Sequence, residues 1–145
     1  MKVKQLSVFV ENQPGRLASV AKSLGGAGIN IMAMTIAETR EFGVVRMIVA
    51  DWERGIKFLK ESGFTVTTTD VLAIEVKDNP GALAKVLEVF VSRGLNVEYM
   101  YAFVAKREGT AILVFRFDDP DQAIQALAGT GVKVLTNEEV LTLEK

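Results

Sequence analysis

The stretch ENQPGRLASVAKSLGGAGINI, Glu11 to Ile31, decides the reading of this chain, because it returns as KDNPGALAKVLEVFVSRGLNV, Lys77 to Val97. The second copy follows the first by 66 residues, from Gly15 to Gly81 and from Asn30 to Asn96. Pro14/Pro80, Gly15/Gly81, Leu17/Leu83, Ala18/Ala84, Val20/Val86, Gly28/Gly94 and Asn30/Asn96 are identical pairs. Identities gathered on turn residues and on one apolar stripe mark a structural repeat. Further on, Gly43 faces Gly109 at the same offset. Leu59 faces Leu127 after a slip of two residues, which places a short insertion near Asp118–Asp119.

Each copy reads outward from that stretch in the same order. Gln5–Val10 and Leu72–Val76 alternate or run apolar, as strands covered on one face do. Pro14 and Pro80 are expected in the first residues of a helix, where a missing N–H costs nothing. Leu17, Val20, Ala21 and Leu24 then recur at helical spacing, and Leu83, Val86, Leu87, Phe90 and Val91 repeat the pattern. Gly25–Gly28 and Gly94 close those helices. Two strands joined by a polar turn come next: Ile29–Glu38 with Gly43–Val49, and Leu95–Val104 with Thr110–Phe117, through turns at Thr39–Phe42 and Lys106–Gly109. Asp51, and Asp119 ahead of Pro120, offer caps for a second helix. The last strands are expected over Thr65–Val71 and from Val132–Thr136 onward.

The closing segment Val140-Leu141-Thr142-Leu143-Glu144 resembles Val71-Leu72-Ala73-Ile74-Glu75, which also opens the second copy. The last strand of one copy is therefore expected to run almost directly into the first strand of the next. No linker rich in Gly, Ser or Pro intervenes, so modules over residues 1–70 and 71–145 are expected to be rigidly coupled, with a shared sheet as one means. The fold class is α+β: two ferredoxin-like βαββαβ modules in tandem, antiparallel sheets with helices on one face. The other sheet face needs a cover, from a neighbouring module or a second copy of the chain.

Composition excludes several chemistries. Among 145 residues there is no cysteine and no histidine, which removes disulfides, thiol nucleophiles and the commonest zinc and proton-shuttle ligand. A formal net charge of -1 lacks the basic surplus that phosphate neutralisation asks of a duplex-binding protein. No apolar run approaches the ~18 residues of a membrane span. The start MKVKQLSVFVENQPG lacks a signal-peptide pattern. The expectation is a soluble, cytoplasmic protein with no nucleic-acid or membrane partner. The acidic runs Asp118-Asp119-Asp121 and Glu138-Glu139 carry metal-like charge, but the first reads as a helix cap, and neither metal nor cofactor is assigned.

Two loops are the places for chemistry. Asn12-Gln13-Pro14-Gly15 and Asp78-Asn79-Pro80-Gly81 each precede a helix whose first N–H groups carry partial positive charge, a ready site for a carboxylate. Asn12 or Asp78 can cap that helix or accept from an ammonium group. The second element, Gly28-Ile29-Asn30-Ile31 with Gly94-Leu95-Asn96-Val97, is expected beside the loop in the fold. Met32, Met34, Tyr99, Met100 and Tyr101 come after it and read first as core or interface packing.

A strand ending Glu-Asn-Gln-Pro-Gly-Arg-Leu, an amphipathic helix, then Gly-Ile-Asn-Ile resembles the ACT domain, the regulatory amino-acid-binding module. The resemblance covers each half once, as in a free-standing tandem ACT protein. In ACT domains similar to the regulatory end of phosphoglycerate dehydrogenase, the Pro-Gly loop and the later Asn hold the ligand's polar groups, often at an interface between two modules. The resemblance implies one site from Asn12, Gln13, Gly15, Arg16, Leu17, Asn30 and Ile31. It implies another from Asp78, Asn79, Gly81, Ala82, Leu83, Asn96 and Val97. Val10 stands where the dehydrogenase-type loop has histidine, so that specificity does not transfer. Asp78 in place of Asn12 makes the two sites inequivalent.

The resemblance also implies a non-catalytic homodimer that senses a free amino acid at an inter-module or dimer interface and signals to a partner enzyme of amino-acid metabolism. The alternative is an interaction subunit that docks a partner and binds no ligand. Catalysis is disfavoured because no nucleophile–base pair can be drawn from His or Cys and no carboxylate pair repeats. Acylphosphatases share the fold but need an Arg-bearing phosphate loop that is not recognisable here, and copper chaperones need a Cys pair. RNA-recognition modules need exposed strand aromatics, for which Phe103, Phe115 and Phe117 are the candidates.

Overall fold

The computed structural model describes residues 1–105 and 107–143. Lys106 of the expected turn and Glu144 of the expected closing strand lie outside the described residues. The chain divides into two compact units, residues 4–69, and residues 70 onward together with residues 1–3.

The first unit contains β1 (Val3–Glu11), α1 (Arg16–Gly26), β2 (Ile31–Glu38), β3 (Phe42–Val49), α2 (Trp52–Glu61) and the opening of β4 (Thr65–Lys77). Its strand order is β2-β3-β1-β4. Antiparallel pairing sets Leu6 against Met47 and Glu11 against Phe42, while Ile31 lies against Val49 and Glu38 against Gly43. Alternate β1 residues Leu6, Val8 and Val10 face the helices and pack with Val20, Leu24, Val45, Met47 and Leu59 in one core. At roughly 1.5–3 kcal/mol for a fully buried aliphatic side chain, this period-two pattern is what holds the register.

The second unit repeats the plan with the rest of β4, α3 (Ala82–Ser92), β5 (Val97–Ala102), β6 (Thr110–Phe117), α4 (Pro120–Leu127), β7 (Lys133–Val134) and α5 (Asn137–Thr142). Its strand order is β5-β6-β4-β7. Phe90 of α3 stands edge-on to Phe115 and Phe117, both at centroid distances of 5.1 Å, an arrangement that suits the aromatic quadrupole. Phe103, Phe115 and Phe117 are buried, so they are not an exposed stacking platform for RNA. The fold is thus the expected pair of ferredoxin-like modules, and no helix among the described residues is long and apolar enough to cross a membrane.

Local chemistry explains the helix ends. Gly28 and Gly94 adopt φ of +73° and +68°. Beyond them Ile29 N–H donates to Leu24 O and Leu95 N–H to Phe90 O, at 3.0 and 2.9 Å. Both helices therefore end in the six-to-one bond that glycine's left-handed conformation allows. Asp51 and Asp119 accept from the backbone N–H groups of Arg54 and Gln122 at 3.2 and 3.0 Å, as expected of caps.

Three expectations are corrected. Pro14 and Pro80 stand before the helices, because Gly15 and Gly81, at φ +88° and +86°, occupy the cap position itself. Asn12 does not cap α1: its side chain bonds Glu38, Thr39 and Arg40 instead, and the cap residues of α1 and α3 are the glycines. Residues 140–142 belong to a helix, not to a strand repeating β4: Thr136 Oγ1 accepts from Glu139 N–H and the Glu139 carboxylate accepts from Thr136 N–H, each at 3.2 Å. This reciprocal box starts α5 and outweighs the strand-like apolar pattern.

Candidate functional site

In the first unit the Asn12–Gly15 loop is tied to the turn between β2 and β3. Asn12 N–H donates to Glu41 O at 2.8 Å. Its side-chain amide donates to Thr39 O at 3.1 Å, Arg40 O at 3.3 Å and the Glu38 carboxylate at 3.4 Å. The amide needs both hydrogens to serve these acceptors, which explains asparagine here in terms of donors. The result is a cavity of about 170 Å³ lined by Val10, Glu11, Asn12, Gln13, Leu17, Ile36, Glu38 and Gly43. Of the residues expected from the sequence, Asn12, Gln13 and Leu17 share it. Ile36, Glu38 and Gly43 were not anticipated. The expected match of Gly43 with Gly109 does not hold: Gly43 pairs with Val10, whereas Val76, the counterpart of Val10, pairs with Ala111, so the two extra residues of the second copy fall between Ala102 and Thr110 and not near Asp118–Asp119.

Gly15 borders the loop with open space where a Cβ would stand, so its backbone conformation, not crowding, demands glycine. Arg16 turns away from the cavity. Its guanidinium lies 4.9 Å from the centre of the Phe64 ring, and its Nε is buried without a hydrogen-bond partner among the described residues.

Asn30 and Ile31 are not beside the loop of their own module. The loop follows β1 where Glu11 pairs with Phe42, whereas Ile31 pairs with Val49 and Asn30 O accepts from Ala50 N–H at 3.1 Å. Phe42 and Val49 are the two ends of β3, roughly 20 Å apart at a rise of about 3.3 Å per residue. The reason is direction: β1 and β2 both pair antiparallel to β3, so the end of one and the start of the other lie at opposite edges. Asn96 and Val97 repeat this arrangement, with Val97 against Phe117. A register irregularity comes after both Ile31 and Val97. Ile31 and Val97 pack on their cores, while Asn30 and Asn96 are exposed.

In the second unit Asp78 N–H donates to Gly109 O at 3.0 Å, repeating the Asn12 backbone contact. Asn79 and Ala82 line a cavity of about 580 Å³ with parts of β4, α3 and the approach to β7. Asp78, Gly81, Leu83 and Asn96 do not line it, although Leu83 is exposed at the helix start.

The loops, the glycine-capped helix starts and the strand order recur in both units, and the profile of one family, the ACT domain pair, matches residues 1–144. The chain belongs to the ACT domain pair family. A solved structure, protein BT0572 from Bacteroides thetaiotaomicron, is 40% identical to this ACT pair, covering 97% of this chain and 96% of that one with a TM-score of 0.90. The ligand-free regulatory subunit of aspartate kinase from Thermus thermophilus shares the fold at 17% identity, covering 86% of this chain and 89% of that one, with a TM-score of 0.61. The corresponding subunit from Thermus flavus is 16% identical, covers 98% and 92%, and has the same TM-score of 0.61. No functionally curated protein matches the ACT pair.

Proposed function

We propose that this ACT pair is a non-catalytic regulatory protein that senses a free amino acid and passes its occupancy to an enzyme of amino-acid metabolism. The observation that carries the reading is the charge layout around the first loop. The start of α1, positive and without a side-chain cap, adjoins a small cavity lined by the carboxylates of Glu11 and Glu38. A zwitterion matches both: its carboxylate meets the helix N–H groups and its ammonium meets the acidic wall. A ligand carrying charge of only one sign would satisfy one pole and leave the other without a counterpart.

Asn30 joins this site only from another ACT module, because within its own module it stands at the far end of β3. We therefore assign completion of the site to a second copy of the chain in a homodimer. Ligand bound there favours the dimer packing in which loop and Asn meet, and it shifts that equilibrium by no more than its difference in affinity between the two packings. Arg16 acts in this reading through its stack on Phe64, which holds the helix start in place.

A thermal-shift screen against the twenty amino acids tests the proposal. A ligand at a hundred times its dissociation constant adds about 2.7 kcal/mol to the folded state. A clear hit is expected, weakened by Glu38→Gln and by Asn12→Ala, with sedimentation reporting a dimer. A flat screen sinks the sensor and leaves the docking subunit, whose partner a pull-down would identify.

A further inference from the structure

The two units differ at a pair of matching positions beside the helix start. In the first, Arg16 at the start of α1 stacks on Phe64, the residue before β4. The matching positions in the second are Ala82, at the start of α3, and Val132, the residue before β7. The match is structural: Gly15 and Gly81 cap their helices in the same left-handed conformation, and Gly63 and Gly131, at φ +89° and +86°, precede Phe64 and Val132. Two large side chains are thus exchanged for two small ones, and the cavity of about 580 Å³ lies there, lined by both Ala82 and Val132. Its size falls within the ~300–1,000 Å³ of small-molecule sites.

The lining determines what would fit. Val76, Val86 and Val89 supply apolar wall between β4 and α3. β7 pairs with β4 only at Ile74 and Glu75, so the cavity opens along β4 at Val76 and Lys77. Lys77, Lys85 and Lys133 also line it, against one acid, Glu75. Glu75 is already engaged by Lys133 at 3.4 Å and Arg107 at 3.8 Å. Lys77 and Lys85 form no ion pair among the described residues.

We propose that this cavity is a second binding site, for a small carboxylate with an apolar body such as an aryl- or branched alkyl-carboxylate, and that the first unit fills its own copy of the site with Arg16 and Phe64. The guest's apolar body takes the place held by the Phe64 ring in the first unit, and its carboxylate meets the lysines. With Glu75 engaged, the described lining offers no other carboxylate for an ammonium group, so the site favours a plain carboxylate over a zwitterion. The inference stands on this cavity alone and not on the loop reading of the first unit.

The test is a methyl-resolved NMR titration of the full chain with 3-phenylpropionate, and with phenethylamine as the cation of similar shape. Saturable shifts are expected at the methyls of Val86, Val89 and Val132 for the carboxylate and not for the amine. Ala82→Arg with Val132→Phe transplants the first unit's filling and is expected to abolish the shifts. Lys85→Glu, an exposed change, is expected to weaken binding by about tenfold. No saturable shift at millimolar probe, equal response to the amine, or full binding in the transplant overturns the proposal. Should the transplant fail to fold, unchanged affinity in Lys85→Glu overturns it equally. Asn12→Ala in the first unit is expected to leave this titration as it was, which separates its outcome from that of the amino-acid screen.

Discussion

Replacing Asn12 with aspartate exchanges a double donor for an acceptor at one point of the first loop, and its cost can be worked from the contacts. The amide serves Thr39 O at 3.1 Å and Arg40 O at 3.3 Å. Both bonds are long and exposed, so each adds about 0.5 kcal/mol, the low end for a net hydrogen bond. The third contact, to the Glu38 carboxylate at 3.4 Å, turns from attraction into repulsion between like charges. In a water-like dielectric that repulsion is about 1 kcal/mol. Asn12→Asp should therefore cost about 2 kcal/mol, and Asn12→Ala about half of that, through the hydrogen bonds alone. Urea denaturation at low salt reads the difference, and repeating it near 1 M salt, where the screening length is about 3 Å, should remove most of the charge half. Adding Glu38→Gln to Asn12→Asp should do the same without salt. Equal costs for Asp and Ala, or a gap that survives high salt, would refute the reasoning that Glu38 sits in the reach of residue 12.

Three further outcomes are expected. Gly81→Ala, with φ at +86° and open space around the new Cβ, should destabilise by about 1–2 kcal/mol from the left-handed backbone alone, measured by denaturant melts, despite alanine's better helix propensity. Phe90→Ala removes the ring that stands edge-on to Phe115 and Phe117 and should cost about 3–5 kcal/mol; a loss under about 1 kcal/mol would mean the core relaxes around it. The hydrogen bond from Thr136 N–H holds the Glu139 carboxyl below the usual glutamate range. Its contribution is accordingly present above the unfolded glutamate pKa and lost as pH falls through the lowered folded value. Amide exchange of α5 should rise over that acid window, and Glu139→Gln should flatten the response.

Much of this protein was legible in residues that act on their neighbours. The repeat, the loop glycines, the six-to-one helix endings at Gly28 and Gly94 and the Asp51 and Asp119 caps all depend on a few consecutive residues, so their chemistry is written locally. The closing helix was legible too, in Thr136 and Glu139 three apart, but the apolar run Val140-Leu141-Thr142-Leu143 resembles a strand and drew the expectation the other way. Apolar pattern alone does not separate a short buried helix from a strand.

The candidate site divides along the same line. The sequence by itself determined that two Pro-Gly loops precede two helix starts and that an asparagine comes after each helix, because turn geometry and helix polarity are properties of a few bonded residues. Only the tertiary structure decided which of these meet. Strand direction sends Asn30 to the far end of β3 from Asn12, and the β2–β3 turn brings Glu38 to the loop in its place. The packing of α1 lays Arg16 on Phe64, and the smaller Ala82 and Val132 leave a cavity in the second unit. Those outcomes rest on pairs far apart along the chain, whose approach is set by sheet pairing and core packing and by nothing in the residues beside them.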